Sequence, residues 1–224
     1  MTKDGPYQIE GGVPLSKQVI EANEEGESWE WRPGGDFQTA NRYRLCRCGG
    51  SATKPFCDGT HERNGFDGTE TAERTPYRDQ AEVFTGPGVT LTDAPTLCAF
   101  ARFCDAKGQI WSLVEEADGA SQALAEREAA HCPSGRLITW RARPDGELEP
   151  STEPEFEPSI AVTEDPEMEV SGPLWVRGGV PVVSADGYEY EVRNRVTLCR
   201  CGSSENKPFC DGSHASIGFT DGLD

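Results

Sequence analysis

Apolar and polar positions alternate in short runs along this chain, and no long periodic stretch appears. Tyr7 and Ile9 alternate before Gly11-Gly12-Val13-Pro14, and Leu174 and Val176 do so before Gly178-Gly179-Val180-Pro181. The whole segment from Gly5-Pro6 recurs from Gly172-Pro173, an offset of 167. A period of two broken by Gly-Gly predicts a short strand followed by a turn, used twice. After the first copy, the acidic run Glu21, Glu24, Glu25 and Glu27 followed by Trp29 and Trp31 predicts a longer hairpin, its tryptophans serving packing.

From about Tyr77 the pattern changes. Val89-Thr90-Leu91, the run Ile110 to Val114, and Leu137-Ile138-Thr139-Trp140 are each expected as strands. The alanine-rich stretch Ser121 to His131 predicts a helix, stopped at Cys132-Pro133. Residues 147–169 hold nine acidic residues, four prolines and no basic residue, which predicts an extended linker in which Ile160-Ala161-Val162 can dock as a strand. The expected organisation is a repeat over 1–75, an inserted α+β unit over 76–146, the linker over 147–169 and a second repeat over 170–224.

The densest repetition carries chemistry. Cys46, Cys48, Cys57 and His61 are spaced C-x-C-x8-C-x3-H, and Cys199, Cys201, Cys210 and His214 repeat that spacing at an offset of 153. Between 41–66 and 194–219, 17 of 26 positions are identical, so one small unit is used twice. Three thiolates and an imidazole suit a metal or an iron–sulfur group. They also suit structural zinc, although zinc sites space paired cysteines by two to four residues and here one residue intervenes. A disulfide framework would leave the repeated histidine unexplained.

Both copies resemble the CDGSH iron–sulfur (mitoNEET-like) family, whose pattern is C-x-C-x2-[S/T]-x3-P-x-C-D-G-[S/A/T]-H. Ser51 and Ser204 stand at the hydroxyl position, and Cys57-Asp58-Gly59-Thr60-His61 and Cys210-Asp211-Gly212-Ser213-His214 give the pentapeptide. The resemblance implies a [2Fe–2S] cluster on each set of three cysteines and one histidine. It also implies that the repeats pair within the chain as a pseudo-dimer, because one short strand set cannot bury its apolar face alone. Asp58 and Asp211 are expected to accept backbone N–H groups, with Gly59 and Gly212 allowing the turn. Phe56, Phe66, Phe209 and Phe219 are expected to exclude water. Lys54 and Lys207, and likewise Arg47 and Arg200, could screen cluster charge, although such side chains on a loop read by default as solvated.

The middle of the chain resembles single-cluster bacterial ferredoxins, in which C-x2-C-x2-C lies early and Cys-Pro follows a helix. Cys98, Cys104 and Cys132 match that frame, but Ala101 stands where the middle cysteine would fall. Three cysteines imply a [3Fe–4S] cluster, or a [4Fe–4S] cluster with a non-cysteine ligand, for which Asp105 and His131 are the nearby candidates.

A net charge of −18 disfavours nucleic acid and anionic membranes, and 35% hydrophobic residues suit small units stapled by metal. No window approaches a membrane span and the first residues lack an apolar signal core, so a cytoplasmic protein is expected. There, nine cysteines read as ligands. Two functions remain, electron transfer to a redox partner protein, and cluster delivery to apo iron–sulfur proteins or redox and pH sensing. A monomer with an internal pseudo-twofold is expected, and no activated nucleophile remains to suggest an enzyme.

Overall fold

The computed structural model describes residues 1–143, 147–150 and 153–222. In chain order the strands are β1 (Tyr7–Glu10), β2 (Leu15–Ala22), β3 (Ser28–Phe37), β4 (Arg42–Leu45), β5 (Glu82–Thr85), β6 (Thr90–Asp93), β7 (Leu137–Ala142), β8 (Leu148–Pro150), β9 (Ser159–Asp165), β10 (Val170–Arg177) and β11 (Arg195–Leu198). The helices are α1 (Tyr77–Gln80), α2 (Ile110–Glu115), α3 (Gly119–His131) and α4 (Ser213–Ser216). The class is α+β, with sheets dominant. No helix among the described residues is long and apolar enough to cross a membrane.

The two repeats fold alike. β1 pairs antiparallel with β4, placing Tyr7 opposite Leu45, and β10 pairs antiparallel with β11, placing Leu174 opposite Leu198. Isolated bridges Leu45–Phe56 and Leu198–Phe209 extend both pairs at matching positions. Neither pair is large enough to stand alone. They bury a common core in which Tyr7, Leu15 and Leu45 of the first repeat meet Leu174, Val176 and Leu198 of the second. This is the expected intramolecular pseudo-dimer, and its strands are shared. A five-stranded sheet runs β11-β10-β9-β2-β3, so the β2–β3 hairpin that follows β1 joins the sheet of the second repeat.

Two expectations fail in instructive ways. In the acidic stretch 147–169, Ile160-Ala161-Val162 does dock as a strand, but the described residues are no extended linker, because β9 is the central strand of that sheet, antiparallel to β10 and parallel to β2. Ile160, Ala161 and Val162 are buried, and the acidic end of the strand is neutralised: Glu164 meets Arg200 at 2.8 Å and Asp165 meets Arg102 at 3.0 Å. Ile110–Val114 is helical in α2, not a strand. Ile110 and Val114 lie four apart and are both buried, the spacing of one helix face.

The inserted unit is a four-stranded sheet ordered β5-β6-β7-β8 packed on α2 and α3. Its core is Val89, Leu91, Ile110, Val114, Ala125, Ala129 and Leu137. Asp118 caps α3 by accepting from Ala120 and Ser121 N–H, each at 3.0 Å. The unit is fixed to the repeats by Trp31, whose Nε1 donates to His131 O at 3.0 Å and whose ring lies 5.0 Å from Phe103 and 4.8 Å from Trp175. The hairpin tryptophan therefore does serve packing.

Candidate metal centres

Each ligand loop leaves the end of a strand and is tied back to it. Cys46 N–H donates to Pro55 O at 2.8 Å and Cys57 N–H to Arg44 O at 3.0 Å; Cys199 N–H donates to Pro208 O and Cys210 N–H to Thr197 O, both at 2.9 Å. These bonds bring the third cysteine of each set beside the first. Ser51 Oγ donates to Phe56 O at 2.6 Å and Ser204 Oγ to Phe209 O at 2.7 Å, cross-bracing each loop. Asp58 accepts from Ala52 and Thr60 N–H at 2.8 and 2.9 Å, and Asp211 from Glu205 and Ser213 N–H at 2.7 and 3.0 Å. The N–H groups of Ala52 and Thr60 hold the Asp58 carboxyl below the usual carboxylate range. Gly59 and Gly212 then take φ of 88° and 87°, which a side chain rarely adopts, and open the short helical turns that carry His61 and His214.

The four ligands of each set fall into two pairs. Cys46 and Cys48 Sγ are 3.8 Å apart, and Cys57 Sγ is 3.4 Å from His61 Nδ1. In the second set the separations are 3.6 Å for Cys199 and Cys201 and 3.5 Å for Cys210 and His214 Nδ1. Ligands on one tetrahedral metal, with bonds of about 2.3 Å to sulfur and about 2.0 Å to nitrogen, lie roughly 3.5–3.8 Å apart. Each pair thus has the spacing of two ligands on one metal. Among the described residues no three Cys, His, Asp or Glu side chains converge on a single ion. Two such pairs in each set have the spacing a two-metal group would need.

The sets differ in exposure. Cys199, Cys201 and Cys210 are buried and His214 is 4% exposed, whereas Cys48, Cys57 and His61 are half-buried. Burial, then Cys199 and, less strongly, Cys98 nearby, push the Cys210 thiol up. Desolvation, aided by Arg200, pulls His214 down to about 4.

Arg47 and Arg200 are not solvated, as they first read; they are 1% and 3% exposed. Arg47 donates to Gly68 O at 2.8 Å and faces the rings of Tyr7 and Phe66, with its carbon 5.5 and 5.8 Å from the ring centres. Arg200 donates to Gly172 O, Thr163 O and Glu164, pairs with Asp221, and faces Phe219 at 5.5 Å. The signal for this role was an arginine between two ligand cysteines in both copies. The lysines also have local work: Lys54 Nζ donates to Ser51 O at 2.7 Å and Lys207 Nζ to Ser204 O at 2.6 Å.

Cys98, Cys104 and Cys132 approach one another from the β6–α2 connection and the end of α3 without closing to the distances of ligands on one ion. All three line one cavity with Ala101 and Arg136. Burial, then Cys132 and Cys98, drive the Cys104 thiol up to about 12, a thiol crowding that a bound cation reverses. Arg136 binds Asp93 at 2.5 Å and brings positive charge beside Cys98. The suggested fourth ligands are elsewhere: His131 uses Nδ1 on Arg127 O and Nε2 on Glu30, and Asp105 is exposed. Sequence reasoning missed Arg195, which is buried in β11 and donates to the carbonyls of Ala129, Ala130 and Cys132 at 2.6–2.9 Å. It thereby satisfies the open end of α3 and fixes Cys132 to the second repeat.

A family model described as Iron-binding zinc finger CDGSH type matches residues 4–62 and 171–215. The chain carries two CDGSH regions. Between them, a model described as Divergent 4Fe-4S mono-cluster matches residues 84–142. The eight paired ligands fall within the CDGSH regions, and Cys98, Cys104 and Cys132 within the mono-cluster region. Both matches imply iron–sulfur clusters, so this is an iron–sulfur protein. No curated protein and no solved structure matches the chain.

Proposed function

We propose that this protein is a cytoplasmic electron carrier. One [2Fe–2S] cluster would sit on Cys46, Cys48, Cys57 and His61, a second on Cys199, Cys201, Cys210 and His214, and a third, [3Fe–4S] or [4Fe–4S], on Cys98, Cys104 and Cys132. The observation that carries the reading is the division of each CDGSH set into two ligand pairs spaced for two metals. When bound, such groups accept and release single electrons. In each set a neutral imidazole replaces a fourth thiolate, which removes one negative charge and raises the potential above that of an all-cysteine site, the direction seen in Rieske centres. Its partner is a redox protein, not nucleic acid or membrane, it acts as a monomer, and it has no catalytic step of its own.

A second reading attaches to the N-terminal CDGSH region alone. Its half-buried His61, Cys48 and Cys57 suit cluster delivery to an apo iron–sulfur protein, or sensing of acid, better than the buried second set does.

Anaerobic purification with iron, sulfide and electron paramagnetic resonance (EPR) measurements tests cluster number and type. Zinc without acid-labile sulfide would overturn the assignment. Reversible voltammetry set beside transfer to an apo-ferredoxin separates carrier from donor. Transfer without a reversible wave would favour delivery.

A further inference from the structure

The two CDGSH regions agree in ligands, braces and turns, but their turns face different surroundings. Gly59 and Gly212 occupy the same turn, and a side chain at Gly59 would meet nothing within 4 Å. At Gly212 a Cβ would lie 3.1 Å from the Cβ of Phe100 and 3.4 Å from the carbonyl oxygen of Cys98. The turn of the second region is covered by the first ligand segment of the inserted unit, while that of the first region is open.

The covering segment is pinned. Phe100 and Arg102 both hold positive φ, 53° and 60°, which residues with side chains seldom adopt. Arg102 binds both carboxylate oxygens of Asp165 at 3.0 Å, and Asn206 of the second ligand loop donates to Thr96 O at 2.8 Å. Gly212 N–H in turn donates to Cys210 Sγ at 3.4 Å. The bonds of Cys98, one through-space step beside Gly212, the Gly212 peptide and one N–H···S bond therefore link a thiol of the inserted set to a thiol of the C-terminal set.

We propose that the Cys98–Phe100 segment seated on Gly212 is a junction that couples the inserted iron–sulfur group to the C-terminal CDGSH group and not directly to the N-terminal one, whose ligand loop meets the C-terminal loop at Gly49 and Gly202 instead. The inference rests on the electron-carrier reading and adds an order to it. With both groups bound, one electron would cross from the reduced to the oxidised member with no bond made or broken, and one-electron redox proteins would supply and remove it.

The test is EPR relaxation of the inserted group during a redox titration of the full chain. In the intact protein its relaxation should quicken several-fold as one CDGSH group becomes paramagnetic. Cys57→Ser, which removes an N-terminal ligand, should leave that step in place, and Cys210→Ser should abolish it. If Cys210→Ser does not fold, the intact protein and Cys57→Ser still decide. A step lost in Cys57→Ser, no step in either protein, or no iron on Cys98, Cys104 and Cys132 each overturns the junction. Reversible reduction of all groups without the step removes the junction and leaves the carrier reading standing. Coupling without reversible reduction does the reverse.

Discussion

At the scale of single residues, the two histidines do the same chemistry in different surroundings. Only a neutral imidazole can hold a metal, so acid releases the histidine side of each set. Burial disfavours charge on His214 and brings it down to about 4, below the free value of about 6.5. Protonation of His214 therefore needs a lower pH, and the N-terminal set, with Cys48, Cys57 and His61 half-buried, is the more open of the two to solvent. Acidification should bleach the visible absorption in two phases, the N-terminal group first. His61→Cys should remove the early phase and leave the late one; a single shared phase in the wild type would contradict the assignment. Arg200 offers a second residue-scale test. Removing it leaves Glu164 and Asp221 as buried carboxylates without their partner, a loss of about 3–5 kcal/mol for a broken buried pair. Arg200→Met should lower the denaturation midpoint accordingly. Arg200→Lys should not restore it, because one ammonium cannot reach two carbonyls and two carboxylates together.

At the scale of elements, β9 decides how the halves are joined. Ile160 and Val162 face the common core and Ala161 is fully buried, with β10 on one side and β2 on the other. Ile160→Ala should cost about 2–5 kcal/mol, the range for truncating a buried aliphatic side chain, read by chemical denaturation. Replacing 153–165 by a flexible glycine–serine segment should abolish cooperative unfolding; a linker would tolerate it. The ligand sets and the paired strands were legible because they repeat: the same spacing and the same Gly-Gly turn occur twice. β9 was obscured by composition. Its flanks carry acid and proline, and the basic partners Arg102 and Arg200 lie 63 and 36 residues away in sequence. The Ile110–Val114 helix was obscured by length, since five apolar-rich residues fit either period until Ile110 and Val114 are seen to share a face. The docking of the inserted unit through Trp31, Arg102 and Arg195 depends on contacts distant in sequence and carried no local signal.

For the whole molecule, the question is whether the second CDGSH region exists without the first. Every residue of β10 from Val170 to Val176 is buried, yet within 170–222 its only strand partner is β11. Its other edge belongs to β9, and its inner face packs on Tyr7, Leu15 and Leu45. The close contacts reach the ligand loops themselves. A Cβ at Gly202 would lie 2.7 Å from Cys48 O, and Gly49 meets Cys201 O reciprocally, so the two loops touch where only glycine fits. Tyr7 of the first region donates its hydroxyl to Cys199 O at 2.7 Å and also lies 3.1 Å from Pro208 O, both in the second ligand loop. Tyr7→Phe keeps the ring and removes the donor to the buried Cys199 carbonyl, a loss of about 1–3 kcal/mol, while Pro208 O keeps the Cys199 N–H. That variant should lower the stability of the full chain and hasten iron loss from the C-terminal set, although the substitution lies in the other region. Faster loss from the N-terminal set alone would contradict a shared fold. The isolated 170–224 fragment tests the same point from the other side: it exposes the β9-facing edge and the apolar face of β10 together, and should neither fold as a monomer nor retain iron. A folded, iron-bearing monomeric fragment would show that the second region stands alone and that the internal pairing adds nothing to it.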